Sequence, residues 1–184
     1  MLNWLLKHHC IKANPLACVD KVSTIGKETF KRRALTDDEA KRLLEVSSLR
    51  RPIYLTALLT GLRRGEMGGL FCADFNLYAD KPTISLHANI AKNRQAAVIS
   101  LRDDLATELG AIIPQNAKPM CKPWRMPKPE TVKRDYTIAG IALEDDRGRR
   151  VDFHALRHTL GTNLARAGGP PRVAMKSCGT AICG

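Results

Sequence analysis

The stretch from Asp152 to Gly168 constrains the fold most, because it has the features of one complete helix. Asp152 is a good N-cap, Gly168 occupies the usual position of a left-handed residue after a helix end, and nothing between them breaks a helix. Leucines recur every four residues, which predicts a buried stripe formed by Leu156, Leu160 and Leu164.

A neighbouring face of this helix carries His154, Arg157 and His158, which are three and four residues apart and therefore project together. A guanidinium beside an imidazole forms a site for an anionic oxygen, and phosphate is the obvious ligand. The two histidines could instead bind a metal, but the glutamate of a His-Glu-x-x-His motif is absent and no third ligand is evident. His158 is better interpreted as a structural partner within the helix.

The charge balance predicts a polyanionic partner. The chain of 184 residues has 30 basic and 18 acidic side chains and a net charge of +12. Nucleic acid is the leading candidate, because neutralised phosphates release counterions, although a merely soluble basic protein has the same composition. No stretch reaches the roughly 18 apolar residues of a membrane span. The six scattered cysteines lack zinc-site or disulfide-framework spacing, so reduced thiols in the cytoplasm are expected.

The remaining sequence predicts a mainly α-helical fold with a small antiparallel β-sheet. Residues 36–39 (Thr-Asp-Asp-Glu) form a capping box that begins a helix, and Gly61 ends the next helix. Residues 83–87 and 97–101 alternate apolar and polar side chains, as the two strands of a hairpin do. Residues 114–129 contain five prolines and are predicted to form a surface loop.

Three separate pieces of the sequence resemble the tyrosine recombinase family, also called phage integrases. They are Thr-Gly-Leu-Arg-Arg-Gly-Glu at residues 60–66, Lys92 in the turn of the hairpin, and His-Ala-Leu-Arg-His-Thr at residues 154–159. The likeness covers residues 34 to about 175. It implies the fold of the recombinase catalytic domain, and site-specific cleavage and rejoining of DNA strands through a 3′-phosphotyrosine intermediate.

The resemblance also implies a role for each matching residue. Arg63 and Arg157 would grip the non-bridging oxygens of one DNA phosphate, because the planar guanidinium stays charged and donates two parallel hydrogen bonds. His154 would hydrogen-bond the same phosphate or relay a proton, and Lys92 would protonate the departing 5′ oxygen. Glu66 is expected to orient Arg63 or its neighbours. No metal or other cofactor is implied.

Each of these pieces has a simpler interpretation when it is taken alone. Arg63 and Glu66 could be an ordinary surface ion pair, and Lys92 could be a solvated lysine. Their joint occurrence in the family's order favours the recombinase interpretation.

The likeness fails at the nucleophile. The family uses a tyrosine C-terminal to the His-x-Leu-Arg helix, whereas Tyr54, Tyr78 and Tyr136 all precede Asp152, and Tyr54 is predicted to lie in the core. A second family histidine, expected after Arg157, is also missing. We therefore expect a catalytically incomplete recombinase. The alternatives are a DNA-binding module without catalysis and a frameshifted pseudogene product.

The ends of the chain suggest truncation. Residues 1–18 resemble the final helix of the family's N-terminal core-binding domain, residues 19–33 form a basic linker, residues 34–175 form the catalytic domain, and residues 176–184 form an aberrant tail. One permitted back-translation of the last ten residues, read two bases later, gives Glu-Ile-Met-Arg-His-Ser-Asp-Met-Arg, which resembles the family's next segment. This match suggests a frameshift in a gene derived from a phage or another mobile element.

Contacts with double-stranded DNA are expected from basic residues of the linker and of the hairpin turn. These are Lys27, Lys31, Arg32, Arg33 and Arg94. A linker that is simply solvated has the same composition. Family members act as tetramers on paired sites, whereas this chain is expected to be a monomer associated with the nucleoid.

Overall fold

The structure is a computed structural model that describes residues 2–16, 18–19 and 31–168. The described helices are α1 (Leu2–Lys7), α2 (Asp37–Val46), α3 (Arg51–Thr60), α4 (Arg64–Gly69), α5 (Asp103–Gly110), α6 (Pro129–Ile138) and α7 (Phe153–Arg166). The antiparallel sheet has the order β1 (Phe75–Asn76), β2 (Thr83–Leu86), β3 (Ala97–Ser100), and a 3₁₀ turn (Cys72–Asp74) precedes it. The predicted fold class, mainly helical with a small antiparallel sheet, is confirmed. Among the described helices, none is long and apolar enough to cross a membrane.

The predicted helix ends are set by local hydrogen bonds. The Thr36 hydroxyl accepts from the Glu39 amide at 3.2 Å, and the Glu39 carboxylate accepts from the Thr36 amide at 2.9 Å, so the capping box is confirmed. The carboxylate of Asp152 caps α7 by accepting from the amides of His154 and Ala155 at 2.8 and 3.1 Å. Gly168 follows α7 with a left-handed φ of 72°.

The predicted leucine stripe of α7 is only partly confirmed. Leu156 is fully buried, whereas Leu160 and Leu164 are half-buried. The buried face also includes Phe153 and Thr159 from the first half of the helix. The difference arises because α7 packs against α3 mainly along its N-terminal half, so burial falls off toward Arg166.

The helix at the start of the chain, where residues 1–18 resemble a final core-binding helix, is shorter than expected. It ends at Lys7, and His9 has a left-handed φ of 56°, which a continuing helix cannot accommodate. None of the side chains of α1 is buried. The assignment of this segment to a core-binding domain stays a prediction.

Residues 31–33 belong to the folded domain, although the sequence placed them in the linker. The Arg33 amide donates to the Arg150 carbonyl at 3.2 Å, and the Arg150 amide donates to the Lys31 carbonyl at 2.8 Å. The guanidinium of Arg33 forms two hydrogen bonds of 2.7 Å to the Glu39 carboxylate, and its side chain is 12% exposed. Arg33 therefore fastens the start of the domain to α2, and this position does not fit its predicted contact with DNA.

A buried ion pair joins α3 to α6 in the core. Arg50, the N-cap of α3, donates to both oxygens of Asp135 at 2.6 and 2.7 Å, and the Tyr54 hydroxyl donates to Asp135 at 2.7 Å. Tyr54 is fully buried, as predicted. Burial raises the pKa of Asp135, but the hydrogen bonds from Arg50 and Tyr54 outweigh it, so the pKa lies below its ordinary value.

We predict that Asp135→Asn lowers the free energy of unfolding at neutral pH by about 3 kcal/mol, because it leaves the Arg50 charge without its buried partner. The depressed pKa means that the stabilisation is present above the ordinary aspartate pKa and is lost as the pH falls through the native value. The difference from the unchanged protein should therefore shrink below about pH 4. Urea unfolding across this pH range measures both effects.

Asp38→Asn is the matched control, because Asp38 is 79% exposed and pairs with Arg42 on the surface of α2. We expect it to change the stability by less than about 1 kcal/mol. Equal losses in the two variants would contradict the structural role of Asp135.

Candidate phosphate-binding site

The turn between α3 and α4 presents the first predicted arginine. Gly61 ends α3 with a φ of 65°, a conformation that glycine adopts without strain, and its amide donates to the Ala57 carbonyl. The Thr60 hydroxyl supports the turn by donating to the Thr56 carbonyl at 2.6 Å. The chain therefore reverses within two residues, and Arg63 becomes the N-cap residue of α4.

The Glu66 carboxylate joins two of the predicted site residues. One oxygen accepts from the Arg63 amide at 2.8 Å, and the other accepts from the Arg63 guanidinium at 2.9 Å and from the Lys92 amide at 3.2 Å. Glu66 is 5% exposed. Burial raises its pKa, but these hydrogen bonds outweigh burial and hold the pKa below its ordinary value. A buried, ionised carboxylate thus fixes Arg63 and the backbone of the Lys92 turn together.

The second predicted arginine is attached to the same turn from another element. Arg157 on α7 is 8% exposed, and its guanidinium donates to the Gly61 carbonyl. Gly61 is two residues before Arg63 in the chain. The packing of α7 on α3 therefore brings Arg157 to the turn that presents Arg63.

The two histidines of α7 lie at a concentration of positive charge. The ring centroids of His154 and His158 are 5.4 Å apart in an edge-on contact, and His158 is exposed. Burial lowers the pKa of His154, and the charges of His158, Arg32 and Arg157 lower it further. His154 is therefore neutral near pH 7 until an anion compensates for these charges. The described residues offer this pair no cluster of three or more metal-ligating side chains.

Arg32 ties the start of the domain to the N-terminus of α7. Its guanidinium donates to the carboxylate of Asp152 at 2.9 Å, and the same carboxylate caps the helix that carries His154. Of the residues predicted to contact DNA, Arg32 therefore lies beside the candidate site. The prediction for Lys27 lies outside the described residues.

The hairpin turn holds Lys92 by its backbone and leaves its side chain exposed. Ala91 is buried beneath the turn, and Arg94 adopts a left-handed φ of 55° while its amide donates to the Ala91 carbonyl at 2.9 Å. Arg94 is exposed. The turn thus has a fixed base and presents two basic side chains to solvent.

Two glycines of α4 allow neighbouring segments to approach the site helix closely. A Cβ atom at Gly69 would lie 2.8 Å from Cγ2 of Ile90 in the hairpin, and one at Gly68 would lie 3.3 Å from Cγ of Met126. A glycine pair lowers the intrinsic stability of a helix. The structure shows that it also admits the segment that carries Lys92.

The proline-rich segment 114–129 is a mostly exposed loop, as predicted, and it also packs against α4. Lys122 donates to the carbonyls of Gly68, Gly69 and Leu70 at 2.9 to 3.0 Å, which satisfies the C-terminal end of the helix. The Trp124 indole donates to the Met67 carbonyl at 3.2 Å.

Arg64 completes this clamp by donating to the Pro127 carbonyl at 2.9 Å. None of these supporting residues was predicted from the sequence. Trp124 and Met126 are large apolar side chains in a polar, proline-rich segment, and they were a sequence signal of burial there.

Comparisons with known proteins identify the family and the fold of this chain. The model of the phage integrase family matches residues 33–181. The chain belongs to the phage integrase family. No curated protein sequence matches it.

Solved recombinases and integrases share the fold at low sequence identity. The XerA recombinase is 23% identical with a TM-score of 0.66, and the match covers 90% of this chain and 62% of that protein. The Tn1549 transposon integrase, solved with a circular intermediate DNA, is 20% identical with a TM-score of 0.64, and the match covers 98% and 68%. A lambda integrase dimer bound to a COC′ core site is 14% identical with a TM-score of 0.65, and the match covers 98% and 53%. The chain thus spans about three fifths of the length of the XerA recombinase.

We predict that Gly69→Ala destabilises the domain by about 1 kcal/mol. The added methyl group meets Ile90, and the strain of overpacking, about 1–3 kcal/mol, exceeds the gain in helix propensity of about 1 kcal/mol. Thermal unfolding measures the change. Gly65→Ala is the matched control, because no atom lies within 4 Å of the added Cβ atom there, and it should be neutral or stabilising. Equal stability of the two variants would contradict the close packing of the hairpin on α4.

Proposed function

We propose that this chain binds a phosphate of double-stranded DNA through Arg63, Lys92, His154 and Arg157. In this proposal, these residues are the phosphate-holding part of a site that cleaves and rejoins DNA strands. The observation that supports the proposal is that hydrogen bonds join three of these residues. Glu66 links Arg63 to the Lys92 turn, and the Gly61 carbonyl links Arg157 to the Arg63 turn.

The chemistry of these side chains suits a phosphoryl group whose negative charge grows in the transition state. Arg63 and Arg157 would each offer a charged planar fork to the non-bridging oxygens, and their fixed backbones would reduce the reorganisation needed during reaction. His154 is neutral without an anion, so it could donate to a phosphate oxygen or carry a proton. Lys92 would protonate the leaving 5′ oxygen.

Double-stranded DNA is the proposed partner for two reasons. The net charge of +12 favours a polyphosphate, Arg32 pairs with the Asp152 carboxylate that caps α7, and Lys31 and Arg94 are exposed basic residues. Several structural neighbours were solved on DNA, including the XerH recombinase bound to a difH substrate and the lambda integrase bound to a core site. We propose no DNA contact for Arg33, because its guanidinium already forms two hydrogen bonds to the Glu39 carboxylate.

We further propose that a polypeptide of this sequence alone does not cleave DNA, because none of its tyrosines is placed as a nucleophile. The hydroxyl groups of Tyr54 and Tyr136 donate to Asp135 and to the Asp152 carbonyl at 2.7 and 2.9 Å, and both side chains are fully buried. Tyr78 donates to the Ile113 carbonyl at 3.0 Å, beyond the end of α5. The polypeptide would then be a DNA-binding module whose nucleophile must come from elsewhere.

A frameshift near codon 175 is our proposed origin of the missing nucleophile. The alternative reading of the last codons restores an Arg-His-Ser segment that resembles the family, but residues 175–184 lie outside the described part of the chain. Sequencing the locus decides the matter. A downstream reading frame that continues as a recombinase with a tyrosine would support the frameshift. If no such frame exists, the frameshift proposal is wrong.

We predict that Arg63→Gln weakens binding to duplex DNA about tenfold, because one charged pair of hydrogen bonds to phosphate is lost. The slope of log K against log salt should also fall by about 0.9, the value for one phosphate contact. Fluorescence anisotropy in a salt series measures both quantities. Arg102→Ala is the matched control, since Arg102 is an exposed arginine that pairs with Asp104 at the start of α5. If both variants bind like the unchanged chain, Arg63 does not hold the phosphate.

We predict that the chain forms no covalent adduct with a nicked suicide substrate that contains its bound DNA site, because no tyrosine is available to attack the phosphate. Denaturing electrophoresis detects a covalent complex. A mobility-shift assay under the same conditions must show that the DNA is bound. A denaturant-resistant adduct that maps to Tyr54, Tyr78 or Tyr136 would contradict the proposed inactivity.

A further inference from the structure

The fold brings together two cysteines that are 49 residues apart in the sequence. The sulfur atoms of Cys72 and Cys121 lie 2.7 Å apart. Cys72 follows α4 at the 3₁₀ turn, and Cys121 lies in the proline-rich segment. The sequence predicted reduced thiols, because no Cys-x-x-Cys spacing marks this pair.

The backbones of the two cysteines are also in direct contact. The Cys72 amide donates to the Cys121 carbonyl at 2.9 Å, and the next amide, of Ala73, donates to the Pro119 carbonyl at 3.0 Å. A disulfide requires Cα atoms within about 7 Å of each other, and a direct backbone hydrogen bond holds two residues within that range. The main chain is therefore already positioned for a bond between the sulfur atoms.

The surroundings favour oxidation over metal binding. Cys72 is buried, and Cys121 is half-buried, so a small oxidant can reach the second sulfur first. Lys118 lies three residues before Cys121, and its backbone carbonyl accepts from the Cys121 amide at 3.0 Å. Its side chain is exposed, and the positive charge would attract an anionic disulfide such as oxidised glutathione. Within the described ranges, no group of three or more metal-ligating side chains includes the pair.

We propose that Cys72 and Cys121 form a reversible disulfide by exchange with a small-molecule disulfide. The Cys121 thiolate attacks one sulfur of the oxidant, which releases one thiol and leaves a mixed disulfide on Cys121. The Cys72 sulfur then attacks Cys121, the second thiol leaves, and the proton of Cys72 passes to it. One oxidant disulfide is reduced to two thiols, and one protein disulfide forms.

The product would bond the end of α4 covalently to the segment that already clamps it. Lys122, next to Cys121, binds the last carbonyls of α4, and Trp124 binds the Met67 carbonyl. The disulfide would therefore secure α4, the helix that has Arg63 as its N-cap. Formation of the disulfide does not depend on any contact with DNA.

The two steps of the exchange should respond differently to pH. Burial raises the pKa of the Cys72 thiol to about 11, and the hydrogen bond with Cys121 adds to this. The Cys72 thiolate is therefore scarce at neutral pH, and the second step should become about tenfold faster for each unit of pH rise below that value.

The test uses the full chain with Cys10, Cys18, Cys178 and Cys183 replaced by serine, so that only the pair remains. Oxidised glutathione at pH 8.5 should remove two hydrogen atoms from the protein mass. Peptide mapping should join Cys72 to Cys121, and dithiothreitol should reverse both results. The Tm should rise by about 10 °C, because a crosslink across 49 residues restricts the unfolded chain.

The matched control adds Cys121→Ala to this variant and should show no rise in Tm with the same oxidant. Mapping of the unsubstituted chain after oxidation and thiol blocking gives the same answer without any variant. The proposal is overturned if both thiols stay free, if a glutathione adduct on Cys121 persists as the final product, or if the control shows the same rise in Tm.

Discussion

The buried carboxylate of Glu66 is the interaction on which the site depends. An isolated anion at 5% exposure would be strongly disfavoured, so its charge requires the hydrogen bonds that Arg63 and the Lys92 amide provide. Those donors come from α4 and from the hairpin, which are separate in the chain. The hydrogen bonds to this one carboxylate therefore fix the position of α4 relative to the hairpin. They also fix the positions of the basic residues that the two elements carry.

The contact between α3 and α7 adds a second constraint of the same kind. Arg157 is almost fully buried, which a guanidinium tolerates only when it donates to fixed acceptors, and the Gly61 carbonyl is one of them. Gly61 ends α3 in a left-handed conformation that favours glycine, and the same turn presents Arg63. The contacts that stabilise the packing of the helices thus also position Arg63 and Arg157, the two arginines proposed to bind phosphate. A substitution in this turn would affect folding and the site together.

The segment around Cys121 shows how a loop can support a site without contributing to it. Its lysine caps α4, its tryptophan binds the α4 backbone, and its cysteine lies against Cys72. These contacts stabilise a helix of only six residues with glycines at three positions, which has little stability of its own. The short helix is held mainly by its neighbours, and the glycines allow those neighbours to approach.

The sequence by itself determined the features that depend on short spacing. The capping box at Thr36, the left-handed end at Gly61, the N-cap at Asp152 and the alternation of the hairpin are local, and they correctly predicted the fold class. The short motifs at residues 60–66 and 154–159 correctly predicted the family. Only the tertiary structure decided which distant groups meet. The pairing of Arg33 with Glu39, of Arg157 with Gly61 and of Cys72 with Cys121 depends on how the elements pack, and no local pattern encodes it. For this reason the sequence placed Arg33 in a linker, whereas packing joins it to α2, and the sequence did not predict that the exposed proline-rich loop also packs against α4.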